Sequence, residues 1–212
     1  MLKDLFEKMV KDKKRILLCF AAVFGMGFFV SLLIMCNLGT DPCTFMNQSV
    51  SSKVGLSFGN WQLILNVTMF IFVIIFDRKL IGFGTIFNMV LIGYYVDFFT
   101  FIWKKYIPET AWTNPVSRWG IFIVVLFCFI VCASVYINSD TGVAPYDALP
   151  IIITNFIERV TGRSLKTIIR IVWDGSAILI GVLCGGVPVV GIMLMALFLG
   201  PIITAVGKLM DR

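Results

Sequence analysis

Residues 16–38 read ILLCFAAVFGMGFFVSLLIMCNL and contain no charged side chain. A hydrocarbon layer about 30 Å thick is crossed by roughly 20 residues of α-helix. This run is therefore long enough to cross a membrane, and it is too long for the apolar region of a signal peptide. We interpret it as the first transmembrane helix.

The rest of the chain repeats this pattern, with apolar runs at residues 58–76, 82–103, 119–138, 166–184 and 187–206. Of the 212 residues, 59% are hydrophobic and 14% are charged, and the mean hydropathy is +0.96. Soluble domains carry about 25% charged residues. The composition excludes an ordinary soluble enzyme, a disordered chain and a nucleic-acid-binding domain. It predicts an all-α membrane protein with six transmembrane helices.

Two shorter and more polar stretches, residues 41–55 and 144–162, lie between these runs. They predict short helices that lie at the membrane interface or enter it partway. Pro42 and Pro145 suit the first position of a helix, and Thr40 or Asp41 suits the capping position before Pro42. A helix N-terminus inside the membrane offers unpaired N–H groups to an anion. The alternative is that each proline only turns the chain at the membrane surface.

The distribution of basic residues predicts the orientation of the chain. Residues 1–15 combine lysines and an arginine with apolar residues at helical spacing, which is typical of a basic amphipathic interfacial segment. With this segment inside, the outer side receives only Lys53, Lys104, Lys105 and Arg118 of the 18 Lys and Arg residues. The positive-inside rule therefore predicts a multi-pass protein with both termini in the cytoplasm.

An internal repeat divides the chain into residues 16–107 and residues 117–207. The stretch 38–42 (LGTDP) resembles 141–145 (TGVAP) at an offset of 103, and from residue 55 onward the offset is 107. Glycines recur in order at the second offset: Gly55/Gly162, Gly84/Gly191 and Gly93/Gly200. Because each unit holds three spans, the second unit must be inverted relative to the first. Secondary transporters commonly show such a 3+3 inverted repeat.

Polar side chains inside apolar helices are costly and mark candidate sites. Arg170 and Asp174 are one helical turn apart in the fifth span, where they can hold an anionic group and a proton or cation. Gln62 and Asn66 show the same spacing in the second span, where we take them as the counterparts of this pair, and they form a similar polar stripe. Asp97 in the third span is a candidate gate or proton acceptor. Structural alternatives are a self-neutralising pair, an arginine that reaches the headgroups, and helix contacts.

We expect one set of residues to line a solute site: Gln62, Asn66, Arg170, Asp174, Pro42, Pro145 and Asp147. Asp97 and Asp174 are the candidates for proton or ion coupling. The chain has no histidine, its six cysteines form no C-x-x-C pair, and no hydrolase motif is present. We therefore expect no metal, no cofactor and no enzymatic activity.

Short motifs resemble those of a known family. The stretches 38–42 (LGTDP), 55–57 (GLS) and 84–85 (GT) look like YczE-type bacterial membrane proteins of the YczE/YyaS/YitT group. Residues 144–149 (APYDAL) resemble the second-half element of that family, which often reads Gly-Pro-Arg-Asp. Here Tyr146 stands at the arginine position, so an anion-binding arginine cannot be placed there. The resemblance implies a protein of the bacterial plasma (inner) membrane, for which transport is suggested without a substrate.

These observations predict a small secondary transporter for a small polar or anionic organic solute, working by alternating access between the repeats. The alternative is an accessory or regulatory membrane subunit that does not transport. The expected partners are the lipid bilayer and the solute, with no nucleic acid. A homodimer is compatible with a chain that has so little mass outside the membrane.

Overall fold

The computed structural model describes residues 13–192 together with residues 195 and 208. This part of the chain is helical, with short connections and no β-strand. Its elements are α1 (Lys13–Cys36), α2 (Pro42–Val54), α3 (Phe58–Phe76), a 3₁₀ turn (Arg78–Leu80), α4 (Phe83–Tyr106), α5 (Thr110–Thr113), α6 (Pro115–Asn138), α7 (Pro145–Thr161) and α8 (Lys166–Leu183). The expectation of an all-α protein is confirmed for these residues.

Four of these helices, α1, α3, α4 and α6, are long and apolar enough to cross a membrane. Helix α8 has 18 residues, but it also carries Lys166, Arg170 and Asp174. Most of the predicted last span, residues 187–206, and most of the predicted interfacial segment, residues 1–15, lie outside the described residues. The structure thus supports a helical membrane protein with four candidate spans.

The two short polar stretches form helices α2 and α7, as predicted. The Asp41 carboxylate accepts a hydrogen bond from the Thr44 backbone N–H, and Pro42 is the first residue of α2. Helix α7 likewise begins with Pro145. Both helices end at a glycine in the left-handed conformation, with φ of 72° at Gly55 and 68° at Gly162. Proline at the start and glycine at the end therefore set the limits of both helices.

The helices pack as two bodies. Helix α1 packs against α4 and α6 and forms the scaffold body. Helices α2, α3, α7 and α8 pack together around Met46, Val50, Tyr146 and Ala177, and form the network body. The bodies meet where α3 crosses α4, and a Cβ added to Gly93 would lie 2.7 Å from the Cα of Gly59. Only glycine allows the two backbones to come this close.

The two halves of the chain exchange their short helices. Helix α2 from the first half packs against α8 from the second half, and α7 from the second half packs against α3 from the first. The Lys53 ammonium donates a hydrogen bond of 3.1 Å to the Leu183 carbonyl oxygen. The C-terminal ends of α2 and α8 therefore lie together, and each half completes its packing only with the other.

Residues that the predicted repeat pairs adopt matching backbone conformations after α1 and α6. Gly39 and Gly142 have φ of 117° and 116°, and the residues two positions earlier, Asn37 and Asp140, have φ of 49° and 53°. A positive φ is uncommon for a residue other than glycine. Its recurrence at an offset of 103 shows that these two connections share one geometry.

The same two connections are tied to the other half of the chain by matching hydrogen bonds. The Gly191 N–H donates to the Leu38 carbonyl at 2.8 Å, and the Gly84 N–H donates to the Thr141 carbonyl at 2.8 Å. Leu38 and Thr141 are equivalent at the offset of 103, and Gly84 and Gly191 at the offset of 107. Each half thus donates one of these hydrogen bonds to the other half and accepts the other.

Arg118 satisfies carbonyl groups at the end of α1. Its Nε donates to the Cys36 carbonyl at 2.6 Å and its Nη2 donates to the Asn37 carbonyl at 2.7 Å. These carbonyls have no partner within the helix, because the last turn of any helix leaves its C=O groups unpaired. The equivalent residue of the other half, Arg15, lies 3.9 Å from the Asp140 carboxylate.

Replacing Arg118 with glutamine is expected to lower the free energy of unfolding by about 1.5 kcal/mol, since two charge-assisted hydrogen bonds at a half-exposed position are lost. Reversible unfolding in mixed detergent micelles measures this change. The matched control is Lys104→Gln, which removes an exposed positive charge and is expected to leave stability unaltered. Equal stability of both variants would show that Arg118 does not hold the end of α1.

Candidate functional site

Helix α8 places Arg170 and Asp174 on one face, as predicted. The Arg170 Nε donates to Asp174 Oδ2 at 2.8 Å, so the two residues form an ion pair across one helical turn. Their side chains are 41% and 24% exposed. The spacing alone explains this contact, because residues four apart are neighbours on a helix surface.

Helix α7 adds two further side chains to this pair. The Arg170 Nη1 lies 2.6 Å from Asp147 Oδ1, and the Tyr146 hydroxyl donates to Asp174 Oδ1 at 2.9 Å. The guanidinium also lies 5.8 Å from the centre of the Tyr146 ring. We call Tyr146, Asp147, Arg170 and Asp174 the polar network. It links the first turn of α7 to the middle of α8 through one arginine shared between two carboxylates.

The first turn of α2 lies beside the polar network. The Asp41 carboxyl group is close enough to Asp147 to interact with it electrostatically. The Cys43 thiol interacts in the same way with Asp41, Asp147, Arg170 and Asp174. The helix starts at Pro42 and Pro145, one from each half of the chain, therefore both lie near the polar network.

Asn47 lies one turn beyond Cys43 in α2 and is almost completely buried, with 1% of its surface exposed. Its Nδ2 donates to the Cys43 sulfur at 3.4 Å, and its Oδ1 has no hydrogen-bond partner among the described residues. An unpaired buried acceptor costs about 1–3 kcal/mol. Sequence reasoning missed Asn47 and Cys43; the available signal was an asparagine one turn from a cysteine in a helix that begins at Pro42.

Gln62 and Asn66 are buried in α3, with 8% and 4% of their surfaces exposed. No hydrogen bond or ion pair joins either of them to Arg170 or Asp174 in the described part of the chain. Their expected correspondence to that pair is wrong by one residue. At the offset of 107 the equivalents of Arg170 and Asp174 are Leu63 and Val67, and one residue is a rotation of about 100° around a helix.

Asp97 stabilises the beginning of α3. Its Oδ2 accepts a hydrogen bond of 2.9 Å from the Gly59 backbone N–H, which belongs to the unpaired first turn of that helix. Next to it, the Tyr94 hydroxyl contacts Asn60 Oδ1 at 3.3 Å. The structure places Asp97 as a cap on a neighbouring helix, and its role as a gate or proton acceptor stays a prediction.

Replacing Asp97 with alanine is expected to lower the free energy of unfolding by about 1 kcal/mol, the usual effect of losing a helix cap. Asp97→Asn should retain most of the stability, because an amide oxygen can still accept from Gly59. The stabilities of both variants are compared by thermal melting in detergent. A proton-accepting role would instead require both variants to lose activity equally, whatever their stability.

No group of three or more Cys, Asp or Glu side chains is arranged to hold a metal ion in the described residues. The cysteines among them are all unpaired thiols. The chemistry available at the site is therefore that of one guanidinium, its carboxylates, a phenol hydroxyl and two helix N-termini. Such groups bind and orient a polar ligand or exchange a proton.

A bundle of long apolar helices with a charged network between α7 and α8 defines a helical membrane protein. The chain belongs to a family of unknown function, DUF6198, whose model matches residues 13–208. It is 31% identical over 137 residues to the uncharacterized membrane protein YczE of Bacillus subtilis, an alignment that covers 64% of this chain and 60% of that relative.

A second relative, the uncharacterized protein YyaS of Bacillus subtilis, is 27% identical over 144 residues, covering 64% of this chain and 69% of its own length. The resemblance to YczE-type proteins is thereby confirmed. The chain thus spans less than two thirds of the length of YczE. No solved structure matches this chain.

Proposed function

We propose that this protein is a small secondary transporter for a small polar solute. One observation supports it above the others. The first turns of two short helices, one from each half of the chain, lie near an ionised network inside an apolar helical protein. Charges inside such a protein are costly and are retained where they bind a ligand or move a proton. Binding sites in secondary transporters commonly lie at such interrupted helix ends.

The proposed arrangement is a six-span inverted repeat in the plasma membrane of a bacterium, with both termini in the cytoplasm. Support comes from the matching hydrogen bonds, Gly191 to Leu38 and Gly84 to Thr141, which relate the two halves reciprocally. In this arrangement α2 and α7 are re-entrant helices. Each begins near the polar network and returns to the side of the membrane from which its segment entered.

The exchange of short helices bears on the proposed motion. Rocking one whole repeat against the other would separate α2 from α8 and α3 from α7. A movement of the network body against the scaffold body keeps both contacts. Gly59 and Gly93 place no side chain of their own between α3 and α4. The hydrogen bonds from the Gly59 N–H to Asp97 and from Tyr94 to Asn60 join the two helices there, so sliding of the bodies has to break them. We therefore propose alternating access between these two bodies.

The charge of the solute follows from the state of Arg170. The expectation of an anionic solute rested on a free guanidinium at this position. Arg170 is already bound by Asp147 and Asp174, so an anion would have to displace a carboxylate before it could bind. We therefore restrict the proposal to solutes without net negative charge.

The test is transport by protein reconstituted in liposomes, with solutes first selected from a thermal-shift screen of metabolites. The double variant Arg170→Ala/Asp174→Ala is expected to lose uptake and efflux while it still elutes as a folded protein. Arg163→Ala, which removes an exposed arginine outside the network, is the control. A folded double variant with normal function, or function only in the presence of a co-purifying protein, would favour the accessory role.

Accessibility of the site gives an independent test. In a cysteine-free variant, single cysteines at Asn66 and Asp174 should react with a water-soluble maleimide from at least one side, and solute should change the rate. Ile171→Cys, on the exposed apolar face of α8, is the control and should stay unreactive. If Asn66 and Asp174 stay unlabelled from both sides under every condition, no water-filled pathway reaches the site.

A further inference from the structure

A groove on the scaffold body lies between the first turns of α1 and α4. It has a volume of about 280 Å³ and is lined by Lys13, Ile16, Leu17, Phe20 and Phe87. The rings of Phe20 and Phe87 meet edge to face, with their centres 5.5 Å apart, and connect the two helices. The lining of the groove is therefore apolar, except for one lysine that lies two helical turns from Phe20.

The residues that α1 contributes to the groove form one face of the helix. Positions 13, 16, 17 and 20 have the spacing of side chains that lie above one another, and Leu17 is 69% exposed. From Lys13 to Phe20 the helix rises about 10 Å. One leaflet of a hydrocarbon layer about 30 Å thick is about 15 Å deep. The groove thus starts at a cation and follows a candidate membrane span through most of one leaflet.

The cation at the start of the groove has no ion pair. Lys13 is exposed and pairs with no carboxylate of the described residues, whereas Arg15 lies 3.9 Å from Asp140. An occupant that suits the whole groove needs a negative charge at one end and an apolar chain behind it. A soluble anion would leave the apolar wall uncovered, and a neutral lipid would leave Lys13 unpaired. Basic residues at a membrane surface attract anionic headgroups.

We propose that this groove binds an anionic phospholipid, with the phosphate at Lys13 and one acyl chain along Leu17, Phe20 and Phe87. The lipid then contacts α1 and α4 together and supports their packing at this end of the scaffold body. The site lies apart from the polar network and does not depend on the proposed transport function.

Occupancy of the groove is tested by quenching of tryptophan fluorescence with phospholipids that carry brominated acyl chains. Phe87→Trp places an indole in the groove wall, and the wild type supplies the background of the five natural tryptophans. In mixed micelles, brominated phosphatidylglycerol should reach half-maximal quenching at about one fifth of the mole fraction that brominated phosphatidylcholine requires, which is the attraction expected for one lysine. Equal mole fractions for the two lipids would overturn the proposal.

Two neighbouring lysines provide the matched pair of variants, each combined with Phe87→Trp. Lys13→Gln should remove the preference for phosphatidylglycerol, and Lys13→Arg should retain it because the charge is kept. Lys14→Gln removes an equal charge from a residue that does not line the groove, and it should retain most of the preference. Equal losses in Lys13→Gln and Lys14→Gln would show only a general attraction to a basic surface and would overturn the site.

Native mass spectrometry keeps the proposal testable if Phe87→Trp fails to fold. After exchange into neutral detergent, the wild type should retain one phosphatidylglycerol molecule, and Leu17→Ala should lose it. Leu18→Ala is the control, because Leu18 is also an exposed leucine but does not line the groove. A wild type that retains no phosphatidylglycerol, or equal retention by the two alanine variants, would contradict the proposal.

Other occupants give different results. Glycerol 3-phosphate carries a phosphate without an acyl chain, and it should not displace brominated phosphatidylglycerol at equal concentration. If it does, the groove binds a soluble anion and the lipid site is rejected. Light scattering tests for a second copy of the chain. A dimer that Leu17→Ala dissociates, without any lipid-specific quenching, would assign the groove to a protein interface instead.

Discussion

Replacing Gly142 with alanine is expected to destabilise the protein by about 4 kcal/mol, the sum of backbone strain and overpacking. Gly142 has a φ of 116°, a conformation that residues with a side chain rarely adopt. A Cβ at this position would also lie 2.7 Å from the Gly82 Cα and 2.6 Å from the Thr85 hydroxyl. The backbone at Gly82 cannot move away without loss of the adjoining hydrogen bond from Gly84 to Thr141.

The matched control is Gly162→Ala. Gly162 also has a positive φ, of 68°, but a Cβ there would meet nothing within 4 Å. We expect about 1 kcal/mol of destabilisation from the backbone conformation alone. Reversible unfolding in mixed micelles compares the two variants directly. If both variants lose the same free energy of unfolding, the close approach of the two connections does not contribute to stability, and the packing around Gly142 is loose enough to accept a Cβ.

Replacing Arg170 with glutamine is expected to lower the free energy of unfolding by about 2–3 kcal/mol. The variant leaves Asp147 and Asp174 without their cation, and an unpaired charge away from water is strongly unfavourable. The estimate lies below that for a fully buried ion pair because the three side chains are between 24% and 41% exposed.

A double-mutant cycle isolates the contact between α7 and α8. Asp147→Asn alone should lower the free energy of unfolding less than Arg170→Gln does, since Arg170 keeps its ion pair with Asp174. When the two changes are combined, the loss should be smaller than the sum of the single losses by about 1–2 kcal/mol. Strict additivity would show that the 2.6 Å contact between Arg170 and Asp147 carries no interaction energy. Glu158→Gln/Arg163→Gln, two exposed changes without such a contact, is the additive control.

Much of this architecture is visible in the sequence because local physics determines it. The length of each apolar run predicts a helix that can cross a membrane, and Pro42, Gly55, Pro145 and Gly162 mark the ends of the two short helices. The i,i+4 spacing of Arg170 and Asp174 similarly predicts their contact. The recurrence of glycines at offsets of 103 and 107 pointed to equivalent connections, and the matching φ values show them.

The remaining features depend on contacts between distant parts of the chain. Nothing in the sequence indicates that α2 packs on α8 or that α7 packs on α3. The hydrogen bond from Tyr146 to Asp174 and the cap that Asp97 provides for Gly59 follow from that packing. The sequence marks Asp147 by its place after a helix-starting proline and Arg170 by its charge inside an apolar run, and only the fold shows that they form one pair. Gln62 and Asn66 illustrate a limit of repeat alignment, since one residue of misregistration changes the helix face.

The exchange of α2 and α7 between the halves has a consequence for biogenesis. When α2 leaves the ribosome, the helix that will cover it does not yet exist, because α8 is synthesised more than a hundred residues later. Residues such as Asn47 and Ser49 would be poorly tolerated by lipid during this interval. We expect α2 to remain at the bilayer surface and to enter the membrane only after the second half of the chain has inserted. A ribosome-stalled chain that ends before α8 should therefore leave residues 41–55 open to protease.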